Sequence, residues 1–283
     1  MLSLRNLLVL GRTSNLPTVW SNCLAGWILG GGGDWKKFAL LVVGSTLLYL
    51  AGMFLNDAFD ARFDSEHRPQ RPIPSGAVCV GTVFKVGFFL LFGGVALFFL
   101  IGKTVGWIGL ALAACIVLYD AVHKVITLSP VLMALCRWLL YISAGAATEE
   151  GLSGWPIWCG LALALYVVGL SFLAKKESTG VKISYWPCLL LLAPVGLALF
   201  MDSGANHRGA IMLSVALILW IVKSLRYVWQ KSEMNVGRAV SGLLAGIVLV
   251  DMLALVDMNR QMAAIFLALL FLAGYLQRYV PAT

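Results

Sequence analysis

The sequence predicts an all-α protein, a polytopic bundle of nine to ten transmembrane helices. Of its 283 residues, 60% are hydrophobic and only 12% are charged, which is about half the charged share of a typical soluble domain. Apolar runs recur along the whole chain at the length of about 20 residues that a membrane-spanning helix needs. In lipid, only a helix satisfies its backbone hydrogen bonds within one segment, so each run is predicted to be helical.

The predicted spans follow one another closely and leave no room for a soluble domain. They cover residues 14–32, 37–59, 80–101, 104–122, 130–148, 155–174, 185–201, 208–228, 236–256 and 262–280. Because most connections are short, neighbouring helices are expected to run antiparallel. The whole chain, residues 1–283, is therefore predicted to be a single integral membrane domain.

The net charge of +8 indicates membrane orientation, and no nucleic-acid partner is expected. If the N-terminus is cytoplasmic and all ten runs span the bilayer, most lysines and arginines lie on the cytoplasmic side, as the positive-inside rule requires. The polar connections at 60–76 and 175–182 then open on the cytoplasmic face. No organelle-targeting segment is visible, which favours the inner (cell) membrane of a prokaryote.

A group of acidic residues ends the second predicted span. Asn56, Asp60 and Asp64 recur every four residues and, with Asp57, fall within an arc of about 100° on a helix. Stacked carboxylates repel one another and are poorly hydrated at the end of a span, so a positive charge must offset them. One interpretation is a solvated helix end with arginine partners. The other is a divalent cation, because carboxylate oxygens suit Mg²⁺ bound to a substrate phosphate.

Prolines and arginines follow the acidic residues in the next connection. Pro69, Pro72 and Pro74 stop the helix and stiffen the chain. Arg68 and Arg71 would then face the same phosphate as the metal, since the planar fork of an arginine matches phosphate oxygens. Carboxylates followed closely by arginines favour a metal–diphosphate complex over simple metal storage.

The pattern Asn56-Asp57-x-x-Asp60-x-x-x-Asp64 and the connection after it resemble the first aspartate-rich motif and loop of the UbiA superfamily of intramembrane prenyltransferases. The resemblance implies a helical bundle that uses Mg²⁺ to bind and ionise a prenyl diphosphate. It also implies transfer of the prenyl group to a hydrophobic acceptor, often an aromatic one. Asn56, Asp60 and Asp64 would hold the Mg²⁺, with Asp57 in support.

The resemblance implies further catalytic and substrate-binding residues. Arg68 and Arg71 would contact phosphate oxygens. Tyr119 and Lys124 are similar to a tyrosine–lysine element on the fourth span, which would guide the leaving group and bind phosphate charge. The alternatives are an interfacial aromatic for Tyr119 and an orientation-determining charge for Lys124. Asn15 on the first span would line the pocket.

A second acidic motif, usual in the family after the sixth span, is degenerate in this chain. Lys175 and Lys176 stand where acids are expected, and Glu177 is the carboxylate that remains. Either a lysine replaces the second cation and contacts the diphosphate, with Glu177 as a lone ligand or base, or ionisation is impaired and the protein has drifted to another role. The departure is similar to that of divergent branches such as the EboC proteins.

Two charged residues are predicted inside the membrane. Arg137, on the fifth span, is expensive to bury and is therefore predicted to be functional, either reaching phosphate or pairing with Asp120. Asp251, in the ninth run, is predicted to pair with Lys223 or Arg226 in a packing role.

The sequence favours Mg²⁺-dependent prenyl transfer over one alternative of a different class. That alternative is a transporter or non-catalytic membrane protein on the same fold that binds an isoprenoid or its diphosphate. A binding site at the membrane midplane would favour transport. The polar residues instead gather at one face of the predicted bundle, as phosphate chemistry requires.

Overall fold

The computed structural model describes residues 4–179, 186–201, 207–229 and 235–282, and within these ranges every regular element is helical. The side chains of residue 4 and of residues 176–179 are outside the description. The helices are α1 (Leu4–Leu10), α2 (Leu16–Leu29), α3 (Trp35–Phe59), α4 (Ala61–His67), α5 (Val80–Ile101), α6 (Lys103–Val122), α7 (Ser129–Ala146), α8 (Gly154–Thr179), α9 (Pro187–Leu190), α10 (Ala193–Met201), α11 (His207–Trp229), α12 (Val236–Ala254) and α13 (Arg260–Leu276), with a 3₁₀ turn at Thr13–Asn15. The prediction of an all-α bundle is confirmed.

Seven of the described helices are long and apolar enough to cross a membrane: α3, α5, α6, α7, α8, α11 and α12. Each coincides with a predicted span. The other three predicted spans are shorter, because α2 has 14 residues and α13 has 17. The predicted count of nine to ten spans is therefore approximate.

The seventh predicted span, 185–201, is not one continuous helix. It is divided into α9 and α10 by two turn residues, Leu191 and Leu192. Pro194 lies in the first turn of α10 and has no backbone N–H, so it cannot donate to the carbonyl four residues earlier and favours a helix start at this point.

Helix α2 occupies the centre of the bundle. One buried apolar cluster is built mainly on α8, α11 and α12, and a second on α3, α5, α6 and α7. Leu24 of α2 belongs to the first cluster and Cys23 to the second. Because α2 also packs against α3, α7, α12 and α13, polar side chains on α2 can contact both halves of the bundle.

Small residues allow α3 and α5 to cross closely. A Cβ added to Gly94 would lie 2.9 Å from the Gly44 carbonyl oxygen, and a Cβ added to Gly44 would lie 2.8 Å from the Phe98 ring. Close backbone approach at small residues is a common way for helices to associate in membranes, where the hydrophobic effect does not drive their packing.

Several segments meet at one end of the bundle, which we call the polar end. The chain just before α2, the C-terminal ends of α3 and α6, and the connection between α6 and α7 are joined there by side-chain contacts. The C-terminal segment also reaches this end, because the Asn15 amide donates a 3.0 Å hydrogen bond to the Ala282 carbonyl. The acidic motif therefore lies among residues from distant parts of the chain.

Candidate active site

The motif side chains are buried at the polar end. Asn56 and Asp57 lie on the last turn of α3, Asp60 joins α3 to α4, and Asp64 lies on α4, each between 2% and 8% exposed. The helical turn continues across the junction, since the Asp60 N–H donates to the Asn56 carbonyl at 2.9 Å and the Asp64 N–H to the Asp60 carbonyl at 2.8 Å. The four residues and Asp120 of α6 are called the carboxylate cluster below.

Arg71 folds back from the proline-rich connection onto this cluster. Its Nη1 donates to Asp64 Oδ2 at 2.7 Å and to Asp57 Oδ1 at 3.2 Å. One guanidinium therefore offsets the repulsion between two buried carboxylates, as the spacing of acids and arginines requires. The side chain of Arg68, the other arginine of this connection, is half-buried and makes no hydrogen bond or ion pair with the described residues.

Arg12 is a second cation at the cluster, and the sequence had indicated it only as an orientation-determining charge. Its Nη2 lies 3.2 Å from both Asn56 Oδ1 and Asp57 Oδ1, and its carbonyl accepts a hydrogen bond from the Tyr49 hydroxyl. Burial alone would lower the pKa of Arg12, but Asp57, Tyr49 and Tyr119 together outweigh burial and raise that pKa. Arg12 has a left-handed backbone conformation, with φ of 40°. This conformation is uncommon for a non-glycine residue, and residues that adopt it are often found at functional sites.

Asp60 is held by two consecutive residues after α6. Lys124 Nζ lies 2.8 Å from Asp60 Oδ1, and His123 Nε2 lies 3.4 Å from Asp60 Oδ2. Burial alone would raise the pKa of Asp60, but the hydrogen bonds and charges of His123 and Lys124 together outweigh burial and lower the pKa. The sequence indicated Lys124 as a phosphate-binding residue. It gave no signal for His123, whose spacing does not mark it as a ligand.

Asp120 belongs to the cluster through Asn56, not through Arg137. The Asn56 amide donates to Asp120 Oδ1 at 3.1 Å, while Asp120 Oδ2 is buried and has no hydrogen-bond partner among the described residues. Arg137 donates instead to Asn22 and Thr18 of α2, so the predicted pairing of Arg137 with Asp120 is wrong. Asn56 occupies the position that this prediction assigned to Arg137.

Asp251 was also assigned the wrong partners. It is fully buried, and its Oδ2 accepts hydrogen bonds from Ser21 at 2.6 Å and from Asn22 at 2.8 Å, both on α2. Lys223 lies over the Trp220 ring instead. The prediction failed because it placed the partners of Asp251 on the neighbouring helix in the sequence, whereas this part of α12 faces α2.

The other predicted residues lie at different points around the cluster. Tyr119, near the end of α6, stacks on the His123 ring with centroids 5.1 Å apart. Lys175, near the end of α8, donates to the Ile126 carbonyl at 2.7 Å and to Ser129 Oγ at 3.1 Å. Lys175 thus holds the connection between α6 and α7. Lys176 and Glu177 lie outside the residues whose side chains are described.

A small cavity adjoins the carboxylate cluster at Asp120 and lies in the apolar interior. This inner cavity has a volume of about 90 Å³. It lies between α2, α3, α6 and α7, and its polar lining residues are Ser45, Tyr49, Tyr119, Asp120 and Arg137. Val19, Leu48, Leu112, Ile116 and Leu140 are among the apolar residues that complete it. The polar end is therefore continuous with an apolar space inside the bundle.

The donor set of the cluster suits a hard divalent cation, since carboxylate and amide oxygens are the ligands that Mg²⁺ accepts. Asp120 Oδ2 is a buried acceptor without a partner in the described part of the chain, and such an atom is costly unless a ligand or water satisfies it. Within the described residues, no group of three or more His, Cys, Asp or Glu side chains is already arranged around one point as metal ligands. The carboxylates of the cluster instead form ion pairs with Arg12, Arg71 and Lys124.

These features define an integral membrane protein whose apolar bundle carries a buried acidic and basic site at one end of an interior cavity. Comparison with known proteins then identifies its family. The profile of the UbiA prenyltransferase family matches residues 14–244. The chain belongs to the UbiA prenyltransferase family, as the resemblance of its acidic motif implied.

Sequence similarity to curated relatives is local. A digeranylgeranylglyceryl phosphate synthase from Methanococcoides burtonii is 38% identical over 69 residues, which are 24% of this chain and 25% of that protein. A 4-hydroxybenzoate octaprenyltransferase from Paracidovorax citrulli is 37% identical over 75 residues, 25% of each chain. The matches thus span about a quarter of the length of these relatives.

Structural similarity covers most of the chain. A UbiA homologue from Aeropyrum pernix K1 superposes with a TM-score of 0.69 at 15% identity, over 87% of this chain and 98% of its own. A homologue from Archaeoglobus fulgidus, solved with GPP and Mg²⁺, superposes with a TM-score of 0.63 at 15% identity, over 94% of this chain and 99% of its own. At this identity, the likeness establishes the shared fold.

Proposed function

We propose that this protein transfers a prenyl group from a prenyl diphosphate to an acceptor within the membrane, in a Mg²⁺-dependent reaction. The observation that carries the proposal is the carboxylate cluster, flanked by three cations and joined through Asp120 to a cavity inside the apolar bundle. Membership of the UbiA family supports prenyl transfer. The homologue that was solved with GPP and Mg²⁺ supports the choice of donor and metal.

Asn56, Asp60 and Asp64 would hold the metal, with Asp57 supporting them. Bound there, Mg²⁺ would supply charge stabilisation for the departing diphosphate. Arg71 and Lys124 contact Asp64 and Asp60 in the free protein. In the complex they would bind phosphate oxygens, and the carboxylates they leave would be free for the metal.

Arg12 and Asp57 would position this arrangement. Asp57 Oδ1 accepts from Arg12 and Arg71 together, so it holds two phosphate-binding groups side by side. Two guanidiniums brought together without Asp57 would repel each other. Asp57 therefore lowers the cost of presenting both to one diphosphate.

Tyr119 and the inner cavity would accommodate the prenyl group. Tyr119 lines the cavity next to Asp120, where its ring face can stabilise positive charge that develops on the allylic carbon. The apolar walls formed by residues such as Leu112 and Leu140 exclude water, which would otherwise capture that carbon. A longer prenyl chain requires the helices around this small cavity to separate.

The proposal is tested by binding of prenyl diphosphates of graded chain length to the purified protein in detergent, with and without Mg²⁺. Wild type is compared with Asp60→Asn, Asp64→Asn and the control Asp34→Asn. Asp34 caps α3 at its opposite end by accepting a hydrogen bond from the Lys36 N–H, and asparagine retains that cap.

We expect Mg²⁺-dependent binding by wild type and Asp34→Asn, and binding weakened about 30-fold or more in the two cluster variants, as expected from loss of a charged partner. Equal binding by all four proteins would refute the diphosphate site. If binding is Mg²⁺-dependent, release of diphosphate on addition of membrane extract separates an enzyme from a protein that only binds or transports the isoprenoid.

A further inference from the structure

Asp120 is a buried carboxylate that belongs to neither acidic motif of the sequence. It lies near the C-terminal end of α6 and is 3% exposed. Tertiary packing brings it to the carboxylate cluster, because its hydrogen bond with Asn56 joins residues that are 64 positions apart. The function proposed above assigns no role to its charge.

Two contacts run side by side between the end of α3 and the end of α6. The Asn56 amide donates to Asp120 Oδ1 at 3.1 Å, and Lys124 Nζ lies 2.8 Å from Asp60 Oδ1. On each helix the two partners are four residues apart, and the chain keeps a helical conformation just past α6. Residues at this spacing are neighbours on one helix face, with Cβ atoms about 5–6 Å apart. Asp120 and Asp60 therefore lie next to each other.

One oxygen of Asp120 remains available. Oδ1 accepts from Asn56, whereas Oδ2 is buried and has no hydrogen-bond partner among the residues that the structure describes. Within the same part of the chain, Asp120 forms no ion pair, unlike Asp57, Asp60 and Asp64. An ionised carboxylate has about four lone-pair sites on its two oxygens, so most of the accepting capacity of Asp120 is unused.

The cluster carries more negative than permanent positive charge. Its four carboxylates, on Asp57, Asp60, Asp64 and Asp120, face three cations, on Arg12, Arg71 and Lys124. A buried charge without a partner is costly. Transfer of Arg71 and Lys124 to phosphate oxygens would leave still more carboxylate charge without a partner. A divalent cation that enters with the substrate would supply positive charge where it is lacking.

The free oxygen lies beside two groups that would already hold the metal. Asn56 contacts Asp120 directly, and Asp60 is one helical turn from Asn56. Mg²⁺ binds oxygen ligands at about 2.0–2.1 Å, so two ligands of one ion lie about 3 Å apart. Side chains from neighbouring positions can reach that separation. In the free protein Lys124 holds Asp60, so the three ligands would assemble when Lys124 moves to the phosphate.

We propose that Asp120 is a further Mg²⁺ ligand, whose Oδ2 binds the ion together with Asn56 and Asp60. A residue of α6 then completes a metal site whose other ligands come from the end of α3. This inference rests on the proposed function, because the metal is the one that binds the prenyl diphosphate. Asp120 also lines the inner cavity beside Tyr119, so the ion is held where the prenyl group separates from the diphosphate.

The test measures metal binding directly, with Mn²⁺ in place of Mg²⁺ and geranyl diphosphate present. Electron paramagnetic resonance of the purified protein in detergent reports the free Mn²⁺. Wild type is compared with Asp120→Asn, Asp60→Asn and the control Asp34→Asn, which retains its helix cap. Asparagine at position 120 keeps an acceptor for the Asn56 amide and removes an unpaired charge, so Asp120→Asn should fold.

We expect Asp120→Asn to weaken Mn²⁺ binding at least about tenfold, the smallest loss usual even for a group that only supports a metal ligand. Asp60→Asn should weaken it as well, and Asp34→Asn should bind as wild type does. Mn²⁺ binding that is lost in Asp60→Asn but unchanged in Asp120→Asn would overturn this inference and leave the proposed function intact. Binding that no variant weakens, or no binding by wild type, would overturn both.

A thiolate at position 120 separates a metal ligand from a residue that only positions Asn56. Soft thiolates favour softer ions, so Asp120→Cys should bind Cd²⁺ about tenfold or more tightly than Asp120→Asn does, while its Mn²⁺ binding stays weak. Asp34→Cys reports the Cd²⁺ that the native cysteines bind. No gain in Cd²⁺ affinity over Asp34→Cys would overturn Asp120 as a ligand. If Asp120→Asn does not fold, the ratio of Cd²⁺ to Mn²⁺ affinity in Asp120→Cys and in wild type decides.

Discussion

The carboxylate cluster and Asp251 place buried negative charge in two different surroundings. Asp57, Asp60 and Asp64 each touch at least one cationic side chain directly. Asp251 is more deeply buried than any of them, at 0% exposed, and its contacts are a hydroxyl and an amide. One of its carboxylate oxygens has no partner among the described residues.

The elements that each carboxylate faces account for this difference. At the polar end, long basic side chains from connections between helices can reach a carboxylate, as Arg71 and Lys124 do. Asp251 faces the middle of α2 and meets only what that tightly packed helix presents, which is Ser21 and Asn22. Exchangeable cations at the polar end suit a site that must take up a charged ligand, whereas the fixed contacts of Asp251 suit a structural role.

The largest expected effect comes from removing a carboxylate from each region in turn. Asp57→Ala leaves Arg12 and Arg71 without their shared partner, so Mg²⁺-dependent prenyl diphosphate binding should weaken about 100-fold, equivalent to ~3 kcal/mol for an unpaired buried charge. Asp251→Ala should leave this binding within about threefold of wild type. Titration calorimetry in detergent measures both, and equal losses would remove the distinction between the two regions.

The stability of the bundle should respond to Asp251 through its hydrogen bonds. Asp251→Ala leaves the Ser21 hydroxyl and the Asn22 amide without their acceptor and should lower the free energy of unfolding by about 2 kcal/mol. Asp251→Asn keeps an acceptor oxygen at the same place and should cost less than about 1 kcal/mol. Unfolding in mixed detergents measures this, and a larger loss for asparagine than for alanine would show that the charge itself is required.

The contact between α2 and α7 should be sensitive to a single methyl group. A Cβ at Gly26 would lie 2.5 Å from the Tyr141 carbonyl oxygen, so Gly26→Ala must separate the helices that carry Asn22 and Arg137. We expect a loss of about 1–2 kcal/mol in the free energy of unfolding. Gly274→Ala on α13 has no atom within 4 Å of the added carbon and should change stability by less than about 0.5 kcal/mol. A similar small change for both would contradict close packing at Gly26.

The smallest effect is the acid dependence of the contact between Asp60 and Lys124. The pKa of Asp60 is lowered in the folded protein, so this contact stabilises the fold above the ordinary aspartate pKa of about 3.9 and stops doing so as pH falls through the lower folded value. Lys124→Met should reduce the loss of thermal stability below about pH 4, by less than ~1 kcal/mol because Lys124 is partly exposed. An identical acid profile for wild type and variant would show that His123 alone sets the pKa of Asp60.

Much of the acidic site was accessible from the sequence because it is local. Asn56, Asp60 and Asp64 share a helix face by spacing alone, and Arg71 is close enough in sequence to fold back onto them after the prolines. Arg12 and His123 were missed as site residues for a different reason. Their contacts with Asp57 and Asp60 span 45 and 63 residues, and neither residue forms a pattern with its own neighbours.

The sequence by itself determined the helical fold, the seven long spans and the acidic motif, because apolar length and helical spacing are properties of single segments in lipid. Only the tertiary structure decided which cation meets which carboxylate, that Arg137 and Asp251 are linked through Asn22, and that the seventh apolar run is broken. Those outcomes depend on how each helix rotates about its axis when it packs against the others. A difference of one position turns a helical side chain by about 100°, so the apolar pattern of a helix surrounded by other helices does not show which neighbour each polar residue will face.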